Sequence, residues 1–145
     1  MGKITVRDAI LGDLTALINL CAELGYPANE EQLDNRLKKL FKSDSDIIYV
    51  AVLNTEVLGW IHVFETLRLE SDPFAEIGGL VVSSEHRNKG IGATLVLAAE
   101  RWAIENGFSK IRVRSRIERT DARRFYERGG YTVKKSQNVF EKSLE

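Results

Sequence analysis

Apolar and polar positions change period several times along the chain, and each change marks an element. Ile4 to Arg7 alternate and are followed by Asp8, Gly12 and Asp13, which predicts a short strand ending in a turn. From Asp13 the apolar residues Leu14, Leu17, Ile18, Cys21 and Leu24 recur at helical spacing, with Asp13 as N-cap and Gly25 as the stop. Tyr26-Pro27 breaks this helix, because proline cannot continue the amide ladder. Asn29 can then cap a second helix, whose stripe is Leu33, Leu37, Leu40 and Phe41. The break leaves an exposed loop, Gly25 to Ala28.

Ile47 to Leu53 and Val57 to Phe64 are rich in β-branched and aromatic residues around Asn54-Thr55-Glu56, which predicts a hairpin. A polar stretch from Glu65 to Pro73 leads into the apolar run Ala75 to Val82, which holds Gly78 and Gly79. Ile91 to Ala103 is strongly helical and stops at Asn106-Gly107, after which Lys110 to Arg116 alternates. Asp121 to Arg128 has helix-forming composition and meets Gly129-Gly130. Tyr131 to Lys134 and Asn138 to Ser143 read as closing strands. Strands and helices are interleaved, so the fold class is α/β, with the helix from Ile91 as a crossover between two strands.

Composition narrows the function classes. A chain of 145 residues with 43% hydrophobic content can bury a core as one domain, 1–145, without metal or disulfide staples. Lys plus Arg and Asp plus Glu both total 21, so no global field draws the chain to nucleic acid or to an anionic membrane. The lone cysteine, Cys21, cannot form an internal disulfide, and no run has signal-peptide or membrane-span character. A cytoplasmic protein is expected.

The most informative stretch runs from Leu80 through Val81 and Val82 to Ala93, where a strand ends and a helix opens. A helix start leaves amides without partners and carries partial positive charge. Gly90 and Gly92 let a diphosphate approach, and Arg87 and Lys89 add formal charge. A dinucleotide fingerprint would need a small residue where Leu95 stands and an acidic residue where Ser115 and Arg116 stand, which disfavours an oxidoreductase. A Walker loop would need Gly-Lys-Ser/Thr, which is absent. The bland alternative is a tight turn with a solvated basic rim.

Arg87-x-x-Gly90-x-Gly92 resembles the Arg/Gln-x-x-Gly-x-Gly/Ala signature of the GNAT family of N-acetyltransferases. Ala122-Arg-Arg-Phe125-Tyr126-Glu127-Arg128-Gly129-Gly130-Tyr131 resembles a second segment of that family, as does the closing Phe140-Glu141-Lys142. Arg119 departs from the pattern, since many members carry asparagine there. The resemblance covers essentially the whole chain. It implies a mixed central sheet of about six to seven strands with about four helices, and acetyl-CoA as co-substrate without a metal. The pyrophosphate would then lie on Arg87, Asn88, Lys89, Gly90, Ile91, Gly92 and Ala93, and the pantetheine arm on Leu80, Val81 and Val82. Tyr126 would protonate the leaving thiolate.

Direct acetyl transfer to a primary amine of a small molecule or peptide also needs a base. Glu76, two residues before the glycine pair, is the first candidate, with His62 on the preceding strand as an alternative. A lone histidine among apolar residues is more often structural, and His86 reads as a solvated loop residue. In this family the loop after the first helix lines the acceptor pocket, which nominates Tyr26 alongside Glu76 for substrate binding. Glu65, Glu70, Asp72 and Glu76 would favour a cationic acceptor. Arg112, Arg114 and Arg116 share one strand face. Cys21 lies on an apolar helix face, which disfavours a covalent route. A non-catalytic acyl-CoA sensor on the same fold is the alternative, and a homodimer is open to either.

Overall fold

A computed structural model describes residues 2–116 and 118–145 and divides the chain into two units, Met1–Val113 and Arg114–Glu145. In the first unit, β1 (Ile4–Asp8), β2 (Asp46–Leu53), β3 (Glu56–Arg68), β4 (Ser71–Val82) and β5 (Ile111–Val113) form one sheet in sequence order. The first four strands pair antiparallel, and β5 pairs parallel with β4. The helices of this unit are α1 (Leu14–Leu24), α2 (Glu30–Phe41) and α3 (Ile91–Glu105), and α3 is the crossover that a parallel pair requires.

Both sheet faces are covered. Val50 and Ala51 are consecutive in β2 and point to opposite faces, yet both are fully buried. Ile48, Val50 and Val52 pack with Leu17 of α1 and Leu33 and Leu37 of α2. Ala51 lies opposite Gly59, whose close neighbour is Leu95 of α3. Helix stops follow the sequence: Gly25 ends α1 at φ 98° and Gly107 follows α3 at φ 84°, conformations that a side chain would strain.

The expected polar stretch Glu65 to Pro73 is instead the distal half of a long hairpin, since β3 continues to Arg68 and β4 begins at Ser71. Polar side chains on both faces hide strand alternation there. Pro73 falls in the register shift between Thr66 and Arg68, where a ladder amide is dispensable. The strand expected from Lys110 to Arg116 is confined, in this unit, to Ile111–Val113.

The carboxy-terminal unit holds α4 (Thr120–Arg128), which Gly129 and Gly130 end with amide hydrogen bonds back to Phe125, Tyr126 and Glu127. The closing strands expected at Tyr131 to Lys134 and Asn138 to Ser143 are not formed among the described residues. The sheet therefore has five strands rather than six or seven, with four α-helices as expected. A strand exists only through its partner, and among the described residues of this unit no second strand accompanies either segment. No helix among the described residues is long and apolar enough to cross a membrane.

Candidate functional site

The β3–β4 ladder contains the irregularity that builds the site. His62 pairs with Gly79 and Val63 with Ile77, which leaves Gly78 as an extra residue, a β-bulge in β4. Three rings of β3 explain the glycines. A Cβ on Gly78 would stand 2.7 Å from Phe64 Cε1 and 3.2 Å from His62 Nδ1, and one on Gly79 would stand 2.7 Å from Trp60 Cη2. Gly78-Gly79 therefore accommodates both a backbone distortion and close ring contact. Trp60 Nε1 is buried with no acceptor among the described residues.

On its other side, β4 pairs with β5 only at Ala75, Glu76 and Ile77. From Gly78 to Val82 it has β3 on one edge and no ladder to β5 on the other. Over that stretch, among the described residues, β4 is paired through β3. After Val82 the chain turns through Ser84–His86, Arg87 is extended, and Asn88 and Gly90 take left-handed φ values of 63° and 79°. The buried Ile91 then anchors the first turn of α3.

Among the described residues, no acceptor is found for the amides of residues 87–93. Gly90 caps α3 without a side chain, and no acidic residue occupies its first turn. The first amide paired there is that of Thr94, which donates to the Gly90 carbonyl at 3.0 Å. This leaves a compact cluster of free donors at the positive end of a helix dipole. Glu23 of α1 accepts a hydrogen bond from the Ser84 amide at 2.9 Å. That bond and the Ser84 hydroxyl hold its carboxyl below the usual range, with nearby Arg87 adding to the effect.

Glu76 is not an exposed strand-end carboxylate. It is 8% exposed and accepts from the Thr66 hydroxyl at 2.9 Å. It pairs in register with Phe64, so it shares a sheet face with Phe64 and His62. His62 Nε2 lies 2.8 Å from Asp46 Oδ1, and Ser43 Oγ donates to the other oxygen of Asp46 at 2.6 Å. The sequence reading found His62 but not Asp46, which stands sixteen residues away on another strand. Tyr26 is 64% exposed in the loop after α1.

The acidic residues do not gather as expected. Glu65 pairs with Ala75, one position from Phe64, so it faces α3 while Glu76 faces away from it. Glu65 and Asp72 instead line a cavity of about 490 Å³ with Asp44, Trp102 and Phe108 at the carboxy end of α3. Arg112 has its guanidinium 4.1 Å from the Phe74 ring centroid, with that of Arg68 at 5.5 Å. His86 is half-buried rather than fully solvated as expected, and its Nδ1 has no partner among the described residues.

Burial pushes the Cys21 thiol up, with Arg36 opposing, which disfavours a thiolate nucleophile. In the carboxy-terminal unit, Tyr126 packs edge-on against Phe125 and Tyr131. Burial raises its hydroxyl and Arg119 opposes, so at neutral pH the hydroxyl keeps its proton. No group of three or more metal-ligating side chains occurs among the described residues.

Known proteins share both the sequence pattern and the fold of this chain. The sequence profile of the acetyltransferase (GNAT) family matches residues 13–131. An aminoalkylphosphonate N-acetyltransferase of Salmonella typhimurium is 36% identical over 103 residues, which make up 70% of this chain and 66% of that relative. A GNAT family acetyltransferase of Staphylococcus aureus superposes with a TM-score of 0.79 at 26% identity, covering 99% of this chain and 100% of the other. The fold is also that of the aminoglycoside N-acetyltransferase AAC(6')-Iy in complex with CoA, with a TM-score of 0.87 at 15% identity over 99% and 97% of the two chains.

Proposed function

The chain belongs to the acetyltransferase (GNAT) family and is an acetyl-CoA-dependent N-acetyltransferase, and we propose that it acetylates a primary amine by direct attack within a ternary complex. The observation that carries this reading is the row of amides over residues 87–93 that have no acceptor among the described residues, next to a strand whose ladder with β5 stops at Ile77. The donors suit the pyrophosphate of CoA and the strand edge suits the amides of its arm, so Arg87 to Ala93 bind the first and Leu80 to Val82 the second. When bound, acetyl-CoA supplies the activated acyl group.

The acceptor is a small-molecule amine, by analogy with the aminoalkylphosphonate and aminoglycoside enzymes above, and a peptide amine is the second class to test. Tyr26 lines its entry. Glu76, buried on the sheet face away from α3, offsets the charge of an arriving ammonium. Tyr126, protonated at neutral pH, donates to the departing thiolate. A thiol's reference pKa of about 8.5 means that departure is slowed rather than abolished without it. The protein acts in the cytoplasm.

Thiol release from acetyl-CoA, measured with pooled aminoalkylphosphonates, aminoglycosides, polyamines and peptides, tests the reading. Amine-dependent release is expected. Cofactor binding by thermal shift without release from any pool would replace the enzyme with a sensor.

A further inference from the structure

We propose that His62, held by Asp46, is the base that takes the proton from the acceptor ammonium. This rests on the acetyltransferase reading above. The imidazole has two nitrogens in different situations. Nε2 is 2.8 Å from Asp46 Oδ1, and an ionised carboxylate can only accept, so in the neutral imidazole Nε2 carries the hydrogen and Nδ1 the lone pair. Ser43 donates to the second oxygen of Asp46 at 2.6 Å, which fixes the carboxylate from behind.

The other nitrogen lies against Gly78. Nδ1 is the atom 3.2 Å from the Cβ that Gly78 lacks, so it stands against the bulge from which the unpaired edge of β4 departs. Among the described residues, the hydrogen bond found for the His62 ring is the one at Nε2. A tilted Phe64 ring, 5.1 Å away between centroids, packs beside the imidazole. Glu76 is differently placed: it is more deeply buried and already accepts from Thr66. It lies one step further along the same face, roughly 7 Å from His62 by strand spacing, close enough to favour an ammonium beside the imidazole. The carboxylate therefore attracts the charge and the imidazole removes the proton.

The proton balance is complete. His62 Nδ1 accepts one proton from the ammonium and later releases it to water. The neutral nitrogen forms a bond to the thioester carbonyl carbon, then loses its second proton as the carbon–sulfur bond breaks, and the thiolate leaves as a thiol. Asp46 is a positioning residue, since it acts only by setting the tautomer and orientation of His62.

Two measurements on the full chain test this. In steady-state kinetics with the best amine of the panel, His62→Gln should lower kcat about 100-fold or more, with acetyl-CoA affinity by calorimetry unchanged within twofold. With an alkoxyamine analogue of the same acceptor, neutral at the assay pH, the loss should shrink below about tenfold, because no proton need be removed before attack. A loss under threefold, or equal losses with both acceptors, overturns the assignment. In long-range ¹H–¹⁵N spectra of the wild type, the His62 proton should sit on Nε2, and Asp46→Asn should redistribute it. A proton on Nδ1 in the wild type also overturns the assignment, even if the variant fails to fold. Failure of the wild type to acetylate any amine overturns the activity itself, whereas an active wild type matched by His62→Gln removes only the base.

Discussion

The entrances of α2 and α3 solve the same problem in opposite ways. At α2, the Asn29 side chain accepts from the Gln32 amide at 2.8 Å, the Gln32 side chain accepts from the Asn29 amide at 3.3 Å, and Glu30 and Glu31 follow. Every device that quiets a helix start is present. At α3 the cap is Gly90, the first turn holds no acid, and the amides of residues 87–93 have no acceptor among the described residues. The difference separates a helix start that only stabilises from one left open for an anion brought from outside. At α3 the open donors stand where an anion can use them.

The sharpest way to break the contrast is to give α3 what α2 has. Ala93 is exposed in the first turn, so Ala93→Glu should raise stability by about 0.3–1 kcal/mol through the dipole. The same change should weaken acetyl-CoA binding ~30-fold, about 2 kcal/mol, by placing a carboxylate among the donors. Denaturation and calorimetry read the two signs; equal affinity in variant and wild type removes the diphosphate from this entrance. Arg87→Ala should weaken acetyl-CoA about tenfold, with the deficit narrowing at high salt as exposed charges are screened.

The reverse experiment leaves the cofactor alone. Asn29→Ala should cost about 1 kcal/mol of stability in urea titration while acetyl-CoA affinity stays within error. The start of α1 supplies the smallest effect. Arg7 donates two hydrogen bonds to Asp13 at 2.9 and 2.8 Å, and these, with the Ile10 amide, hold the Asp13 carboxyl below its usual range. A lowered carboxyl contributes stability above its unfolded value of ~3.9 and loses it as pH falls through the folded value. Arg7 is 42% exposed, so the contribution is below about 1 kcal/mol. The stability advantage of wild type over Asp13→Asn should close as pH drops below the carboxylate range.

How much of this was legible follows from range. The strand, turn and helix around Gly90, the caps at Asn29 and Gly25, and the site of a distortion at Gly78-Gly79 depend on neighbours in sequence, and each could be read there. What depended on register could not. Glu65 and Glu76 look alike along the chain, but the pairing of Glu65 with Ala75 and of Glu76 with Phe64 sends them to opposite faces. Asp46 meets His62 only because Ile48 pairs with His62, placing Asp46 one diagonal step away on the same face. The stacking of Arg112 on Phe74 has no local signal either, since it joins β5 to β4. The extra closing strands were expected from alternation alone, which shows that a segment can pair and says nothing about a partner.

The cofactor grip proposed for α3 is made of peptide hydrogens, and every amino acid except proline brings one. Sequences can therefore drift widely around such a grip, provided that the path of the chain through Asn88 and Gly90 survives. A solved structure sharing only 15% of its residues with this chain keeps its fold. Side chains along β3 and the loop after α1 are then free to follow whichever amine a lineage encounters, so acceptor choice can turn over while donor choice stands still.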